Sequence, residues 1–165
     1  MFDSGFIRAE VWHALSVHFP IALLIFGTLT RFISLIIKID KRRYWHYAAS
    51  GLLYVGCLTA WISIYTGNLA DGIVSRKICD PTILKDHEIA AQTMTYLFTG
   101  AGTLDLLNVF RVFKPTLHLI SSFLILLLMV VGSGYLLYAG HLGASLVYNQ
   151  GAGVHNHSVD CDDYK

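Results

Sequence analysis

The chain alternates long apolar stretches with short polar ones. Four stretches with almost no charged residues cover about residues 17–37, 46–66, 88–110 and 117–141. A helix rises about 1.5 Å per residue, so each stretch is long enough to cross a hydrocarbon core of about 30 Å. Backbone inside a bilayer must satisfy its own hydrogen bonds, which favours helices over isolated strands. The pattern therefore predicts an all-α, four-helix transmembrane domain over residues 1–154 and a polar tail over residues 155–165.

The polar connections predict the topology of this bundle. The first and third connections are short and the second is longer, which favours an up-down-up-down arrangement. The short connections hold half of the twelve Lys and Arg residues: Lys38, Lys41, Arg42, Arg43, Arg111 and Lys114. The positive-inside rule assigns them to the cytoplasm, so we expect both termini and the polar loop 66–88 on the outer, periplasmic side. Glycines interrupt residues 143–153, which we expect to be irregular rather than helical.

Composition agrees with a membrane location and excludes several functions. Of the 165 residues, 55% are hydrophobic and 14% are charged, which is more apolar than a small soluble domain can bury. A net charge of +1 provides no broad basic surface for nucleic acid. The sequence also lacks a glycine-rich nucleotide-binding motif and a hydrolase triad. We therefore expect membrane lipid, and not nucleic acid, among its partners.

Eight histidines suggest the chemistry of the protein. Four of them fall at the predicted outer end of the bundle: His13, His18, His87 and His141. Helices that project histidines inward can hold a b-type haem between two imidazoles, or a metal ion among three or four ligands. His46 and His118 begin the second and fourth spans at the other end, where interfacial anchoring is the simpler interpretation.

The same four histidines are our candidate metal ligands and haem ligands. The first and third helices of an up-down bundle lie diagonally opposite, so we predict His18 and His87 as the first axial pair. His141 pairs with His13 at a second haem, or replaces one member of the first pair. Gly134 lies two turns before His141 and leaves a smooth helix face that a flat porphyrin could approach.

Arg31 and Asp105 are ionisable residues within the apolar stretches. A charge in hydrocarbon costs about 3 kcal/mol or more unless it is paired. The two residues fall at similar depth, so we expect them to pair. The pair could fix the helix register. Alternatively, Arg31 could neutralise a haem propionate or a quinone oxygen, or Asp105 could relay protons.

Two weaker signals concern the predicted outer side. Cys79 and Cys161 both lie there and could form a disulfide in an oxidising compartment. The tail contains His155, His157 and Cys161, which suit a transition metal, although tails of this composition are usually solvated.

Several segments together resemble a bacterial family of membrane proteins. They are His13–Leu23, Thr66-Gly67, His87 and Gly140–Tyr148, followed by Gly151 and Gly153. The chain resembles the domain of unknown function 2231 family. The resemblance implies a four-helix fold with histidines on the outer side of a bacterial inner membrane, and companions such as c-type cytochromes and respiratory proteins.

The sequence therefore predicts a multi-pass inner-membrane subunit that holds one or two haem b groups. It would transfer electrons between the quinone pool and a periplasmic carrier within a larger respiratory or photosynthetic complex, and so would be at most one subunit of an oxidoreductase. Two alternatives remain open: a cofactor-free scaffold subunit, or a metal or proton transporter that uses the four histidines and Asp105.

Overall fold

The computed structural model describes residues 8–112 and 114–154, without the side chain of Ile39. Within these residues the regular structure is entirely helical. The helices are α1 (Ala9–Ser16), α2 (His18–Ile36), α3 (Ile39–Val74), α4 (Pro81–Val109) and α5 (Pro115–Gln150). Because α1 leads almost directly into α2, the chain forms four long helical segments, as the hydrophobic pattern predicts.

Three of these segments are long and apolar enough to cross a membrane: Ala9–Ile36, Asp40–Val74 and Pro115–Gln150. The fourth, α4, has 29 residues and is also long enough, but it contains more polar residues. Pro20 does not interrupt the first segment, because it lies in the first turn of α2, where a missing backbone N–H costs little. The all-helical architecture is therefore confirmed, with three clear candidate spans.

Helices α3 and α5 extend well beyond the apolar stretches. The expected irregular segments 66–88 and 143–153 are shorter than predicted, because α3 continues to Val74, α4 begins at Pro81 and α5 continues to Gln150, which leaves only 75–80 and 151–153 non-helical. A second hydrophobic cluster lies at the end of the bundle where α3 and α5 finish, and it consists of Val74, Ile78 and Leu146. Burial of these side chains offsets the cost of about 1 kcal/mol for each glycine inside a helix. Gly151 then ends α5 in the left-handed conformation, with φ of 66°.

The main core lies midway along the bundle. Leu24, Leu53, Phe98 and Ile125 are almost completely buried there. Leu24 packs against Gly56, where a Cβ atom would overlap the leucine side chain, and Phe98 packs against Gly132 in the same way. The two contacts join α2 to α3 and α4 to α5, which are also the two most extensive helix pairings.

The two halves of the chain repeat one packing pattern. Each buried position of α2 corresponds to a buried position of α4 located 74 residues later: Pro20 and Met94, Leu24 and Phe98, Gly27 and Ala101, Arg31 and Asp105, Ser34 and Asn108. Six buried positions of α3 correspond to buried positions of α5 located 76 residues later: Ala49 and Ile125, Leu53 and Met129, Gly56 and Gly132, Ala60 and Leu136, Ser63 and Ala139, Ala70 and Leu146. The bundle is therefore two similar helix pairs that pack against each other.

This repetition determines which side chains meet between the halves. In a twofold arrangement, residues near the axis contact their own equivalents. His13 corresponds to His87 and Arg31 to Asp105, each at a separation of 74 residues, and both pairs meet. We call the end that contains His13 and His87 the histidine end, and the end with the short connections 37–38 and 110–114 the basic end.

Candidate functional site

His13 lies on α1 and is held against α3. Its Nδ1 atom is 3.1 Å from the backbone oxygen of Ser63 and 3.4 Å from Oγ1 of Thr66. Gly67 follows Ser63 by one helical turn, and a Cβ atom there would lie 3.1 Å from Cε1 of His13. The imidazole therefore occupies space that the glycine leaves empty.

His87 lies on α4 and is held against α5 by equivalent contacts. Its Nδ1 atom is 2.9 Å from the backbone oxygen of Ala139. Gly143 follows Ala139 by one helical turn, and a Cβ atom there would lie 3.2 Å from Cε1 of His87. Each half of the protein thus contains the same clamp, made of a histidine, a helix carbonyl and a glycine four residues after that carbonyl.

The two clamped histidines meet between the halves. Their ring centroids are 6.3 Å apart and their planes are inclined at 83°. Both side chains are only partly exposed. A carbonyl oxygen can only accept, so each Nδ1 atom carries the proton and each Nε2 atom keeps its lone pair. Two imidazoles with available Nε2 lone pairs therefore lie close together at the histidine end.

The other predicted site residues are not part of this pair of histidines. His18 at the start of α2 and His141 on α5 are both exposed. Gly134 is exposed as well, on a shallow apolar groove of α5 with Val131 and Tyr138. The structure thus brings together His13 and His87, which the sequence reasoning assigned to two different pairs.

The expected pairing of Arg31 and Asp105 is present. Nη1 of Arg31 is 3.0 Å from Oδ1 of Asp105, and both side chains are almost fully buried. Tyr54 donates a hydrogen bond of 2.8 Å to Oδ2 of Asp105, and Nη1 of Arg31 lies 2.9 Å from Nδ1 of His46. Arg31 is 18 residues from His13, or about 27 Å along a helix, so this network is remote from the histidine pair.

The chain matches the family described as predicted membrane protein (DUF2231) over residues 11–156. It belongs to that family. No curated protein and no solved structure matches the chain. The family description establishes a membrane protein and assigns no activity, so the function must be inferred from the residues of this DUF2231 protein.

Several of the predicted ligands belong to the polar tail. Cys161, His155 and His157 lie outside the described residues, and with them the predicted tail metal site and the Cys79–Cys161 disulfide. Cys79 is exposed and Cys57 is partly buried. Among residues 8–112 and 114–154, no three His, Cys, Asp or Glu side chains come close enough to hold a metal ion by themselves.

Sequence reasoning missed the groups that hold the histidines in this DUF2231 fold. Ser63 and Ala139 act through backbone oxygens, which carry no side-chain signature. The sequence nevertheless contained a usable signal. His87 follows His13 by 74 residues, and Asp105 follows Arg31 by the same number. Equal separations of two functional pairs indicate an internal repeat, which would have predicted that His13 meets His87.

Proposed function

We propose that this DUF2231 protein is a membrane-embedded haem b subunit in which His13 and His87 are the two axial ligands of one iron. It passes electrons between a quinone pool and a periplasmic carrier, as part of a larger complex in a bacterial inner membrane. The observation that carries the proposal is the pair of clamped imidazoles between the two halves, 6.3 Å apart.

The hydrogen bonds of the two histidines support a role as ligands. Metal-bound histidines commonly donate the other ring N–H to a carbonyl or carboxylate, which fixes the tautomer and raises the basicity of the ligating nitrogen. The Nδ1 atoms of His13 and His87 make this bond at 3.1 Å and 2.9 Å. Both rings are therefore oriented by the protein before any ligand binds.

The spacing of the rings also suits one metal between them. Two imidazoles on opposite sides of a metal, each bound at about 2 Å, have ring centroids about 6 Å apart. The observed separation is 6.3 Å. The relation between the halves adds to this argument, since a metal on the axis of a twofold arrangement receives one equivalent ligand from each side.

The number of ligands favours haem over a simple metal ion. Zinc sites normally use three or four protein ligands, whereas a haem iron needs only two from the protein. Within the described part of the chain, His13 and His87 have no third His, Cys, Asp or Glu ligand beside them. Small residues adjoin the site as well, since Ala90 and Ala139 are buried near His87.

When bound, haem b supplies reversible one-electron chemistry. The protein contributes the two ligands, their orientation by backbone carbonyls, and partial exclusion of water from the rings. Arg31 takes no part at this site, because it is engaged by Asp105 near the basic end of α2. Arg31 is therefore too far from the two rings to neutralise a haem propionate, the role that the sequence suggested.

Haem content of purified variants tests the proposal. We expect about one haem per wild-type chain in a pyridine haemochrome assay, and loss of haem in His13→Ala and His87→Ala. His18→Ala and His141→Ala are matched controls, because these histidines lie at the same end but are exposed, and they should retain haem. A wild-type protein that takes up no haem, even when reconstituted with haemin, would overturn the proposal.

A scaffold role is the second candidate, favoured by the same clamps. The bond from His13 joins α1 to α3, and the bond from His87 joins α4 to α5. The Arg31–Asp105 pair then joins the two halves. On this alternative the histidine substitutions weaken the fold of a protein that never contains haem, so the haem content of the wild type separates the two candidates.

A further inference from the structure

A cavity of about 420 Å³ lies at the basic end, where α3, α4 and α5 converge. Its lining includes His46, Tyr47, Asn108, Arg111, Pro115 and His118. None of the residues that line it is acidic. The cavity thus combines hydrogen-bond donors and positive charge with no carboxylate to neutralise them.

Arg111 is held at this cavity by an uncommon backbone conformation. Its φ of 55° makes it the only residue other than glycine with a positive φ among the described residues. Glycine or asparagine normally occupies such a position after a helix, because the Cβ atom of a larger side chain comes too close to the backbone in this conformation. In the described part of the chain, the guanidinium makes no hydrogen bond or ion pair. Its charge therefore lacks a protein counter-ion there.

Asn108 supplies a second, independent feature. Its side chain is 6% exposed, and its Oδ1 accepts a hydrogen bond of 2.7 Å from Ser121. Its Nδ2 atom is buried and has no partner among the described residues. An unsatisfied buried donor destabilises the fold, and an acceptor bound in the cavity would remove that cost.

The start of α5 adds a third attractive element. This helix begins at Pro115, has 36 residues, and has no side chain bonded to its first backbone N–H groups. Pro115 has no N–H and the N–H of His118 donates to the backbone oxygen of Lys114, so Thr116 and Leu117 supply the N–H groups without a partner in the described part of the chain. These two groups and the helix dipole make such an end favourable for anions. Pro115 and His118 of this first turn both line the cavity.

We propose that this cavity binds a phosphoryl anion, supplied by the headgroup of an anionic phospholipid. Arginine and helix N–H groups are common phosphate ligands, and basic pockets between membrane helices bind anionic headgroups. The cavity lies at the ends of apolar helices, beside Tyr47. Lipid headgroups lie at the same depth as such helix ends. Inorganic phosphate shares the same chemistry. This site is independent of the proposed haem at the other end.

Native mass spectrometry of the full chain in a neutral detergent tests the site. We expect retention of one phosphatidylglycerol about fivefold more strongly than phosphatidylcholine with the same acyl chains, because one arginine contributes about that factor near anionic lipid. A parallel titration with inorganic phosphate separates the two sources. Stabilisation by millimolar phosphate, with no preference for phosphatidylglycerol, assigns the site to a soluble phosphoryl ligand.

Two substitutions and one control complete the experiment. Arg111→Gly removes the charge and also the positive-φ strain, so the fold is kept while binding falls about fivefold. Asn108→Asp keeps the acceptor for Ser121 but replaces the free donor with a carboxylate, and should also weaken binding. Lys41→Gln changes an exposed cation at the same end, outside the cavity, and should leave binding unchanged. The proposal is overturned if neither anion binds, or if the two cavity variants behave like Lys41→Gln.

Discussion

His87 lies 74 residues after His13, and the two imidazoles meet with ring centroids 6.3 Å apart. Each ring occupies the space left by a glycine one turn beyond the carbonyl that binds its Nδ1 atom. The same clamp therefore occurs once in each half of the bundle, and the two copies meet where the halves pack together.

The glycines of the clamps should respond to substitution unlike other helical glycines. In Gly67→Ala and Gly143→Ala the new Cβ would lie 3.1–3.2 Å from an imidazole carbon, so the ring must shift and its hydrogen bond weaken. Gly72→Ala and Gly140→Ala are the matched controls on the same two helices, because nothing lies within 4 Å of a Cβ there. We expect the controls to gain about 0.5–1 kcal/mol from helix propensity, and the clamp variants to gain nothing.

Thermal unfolding in detergent measures these differences. If Gly67→Ala and Gly143→Ala are stabilised as much as their controls, the two imidazoles are not confined by the glycines.

Substitution of one member of the Arg31–Asp105 pair should lower the free energy of unfolding strongly. Replacement of both members by apolar residues should lower it much less. Both side chains are buried, so Asp105→Asn alone leaves the charge of Arg31 uncompensated, and Arg31→Met alone leaves the charge of Asp105 uncompensated. Either substitution should cost about 3–5 kcal/mol. The double variant Arg31→Met/Asp105→Leu removes both charges and should be more stable than either single variant. The exposed Lys85–Glu88 pair provides the control, since Glu88→Gln should cost less than about 1 kcal/mol.

The free energy of unfolding of these four variants tests the prediction. Equal destabilisation by Asp105→Asn and Glu88→Gln would show that the buried pair contributes no more than a surface pair. A double variant less stable than both single variants would show that the pair stabilises the fold by more than charge compensation.

The sequence predicted the features that depend on distance along a helix. Apolar stretches predicted the helices, and counting residues by depth predicted that Arg31 and Asp105 meet, because the rise of a helix is nearly constant. Features that depend on tertiary packing were missed. Val74 and Leu146 extend their helices by burying each other in a polar region of the sequence. The contact of His13 with His87 depends on how the two halves face each other, which the sequence predicts only once the repeat of 74 residues is recognised.

The start of α4 should show a titration specific to Asp80. This residue caps the helix, and hydrogen bonds from the hydroxyl and backbone N–H of Thr82 hold the pKa of Asp80 below its usual range. The capping contribution is therefore complete above the unfolded-state pKa of this carboxyl and is lost as the pH falls through the lower folded-state pKa. The amide resonance of Thr82 should shift with that low midpoint.

Two variants of Asp80 serve as controls for this titration. Asp80→Asn keeps a capping oxygen and should abolish the pH dependence, whereas Asp80→Ala should remove both the cap and the titration. A Thr82 midpoint at or above the value of an unfolded peptide would contradict the capping role.

The most direct test of the proposed haem site is the low-temperature electron paramagnetic resonance spectrum of the oxidised protein after reconstitution with haem. If both imidazoles held one iron at their present inclination of 83°, two iron d orbitals would be nearly equal in energy and the orbital moment would be poorly quenched. The account predicts the strongly anisotropic low-spin ferric signal of perpendicular bis-histidine ligation, absent from His87→Ala and unchanged in His141→Ala. A high-spin ferric signal, or a low-spin signal that survives in His87→Ala, would contradict ligation by His13 and His87.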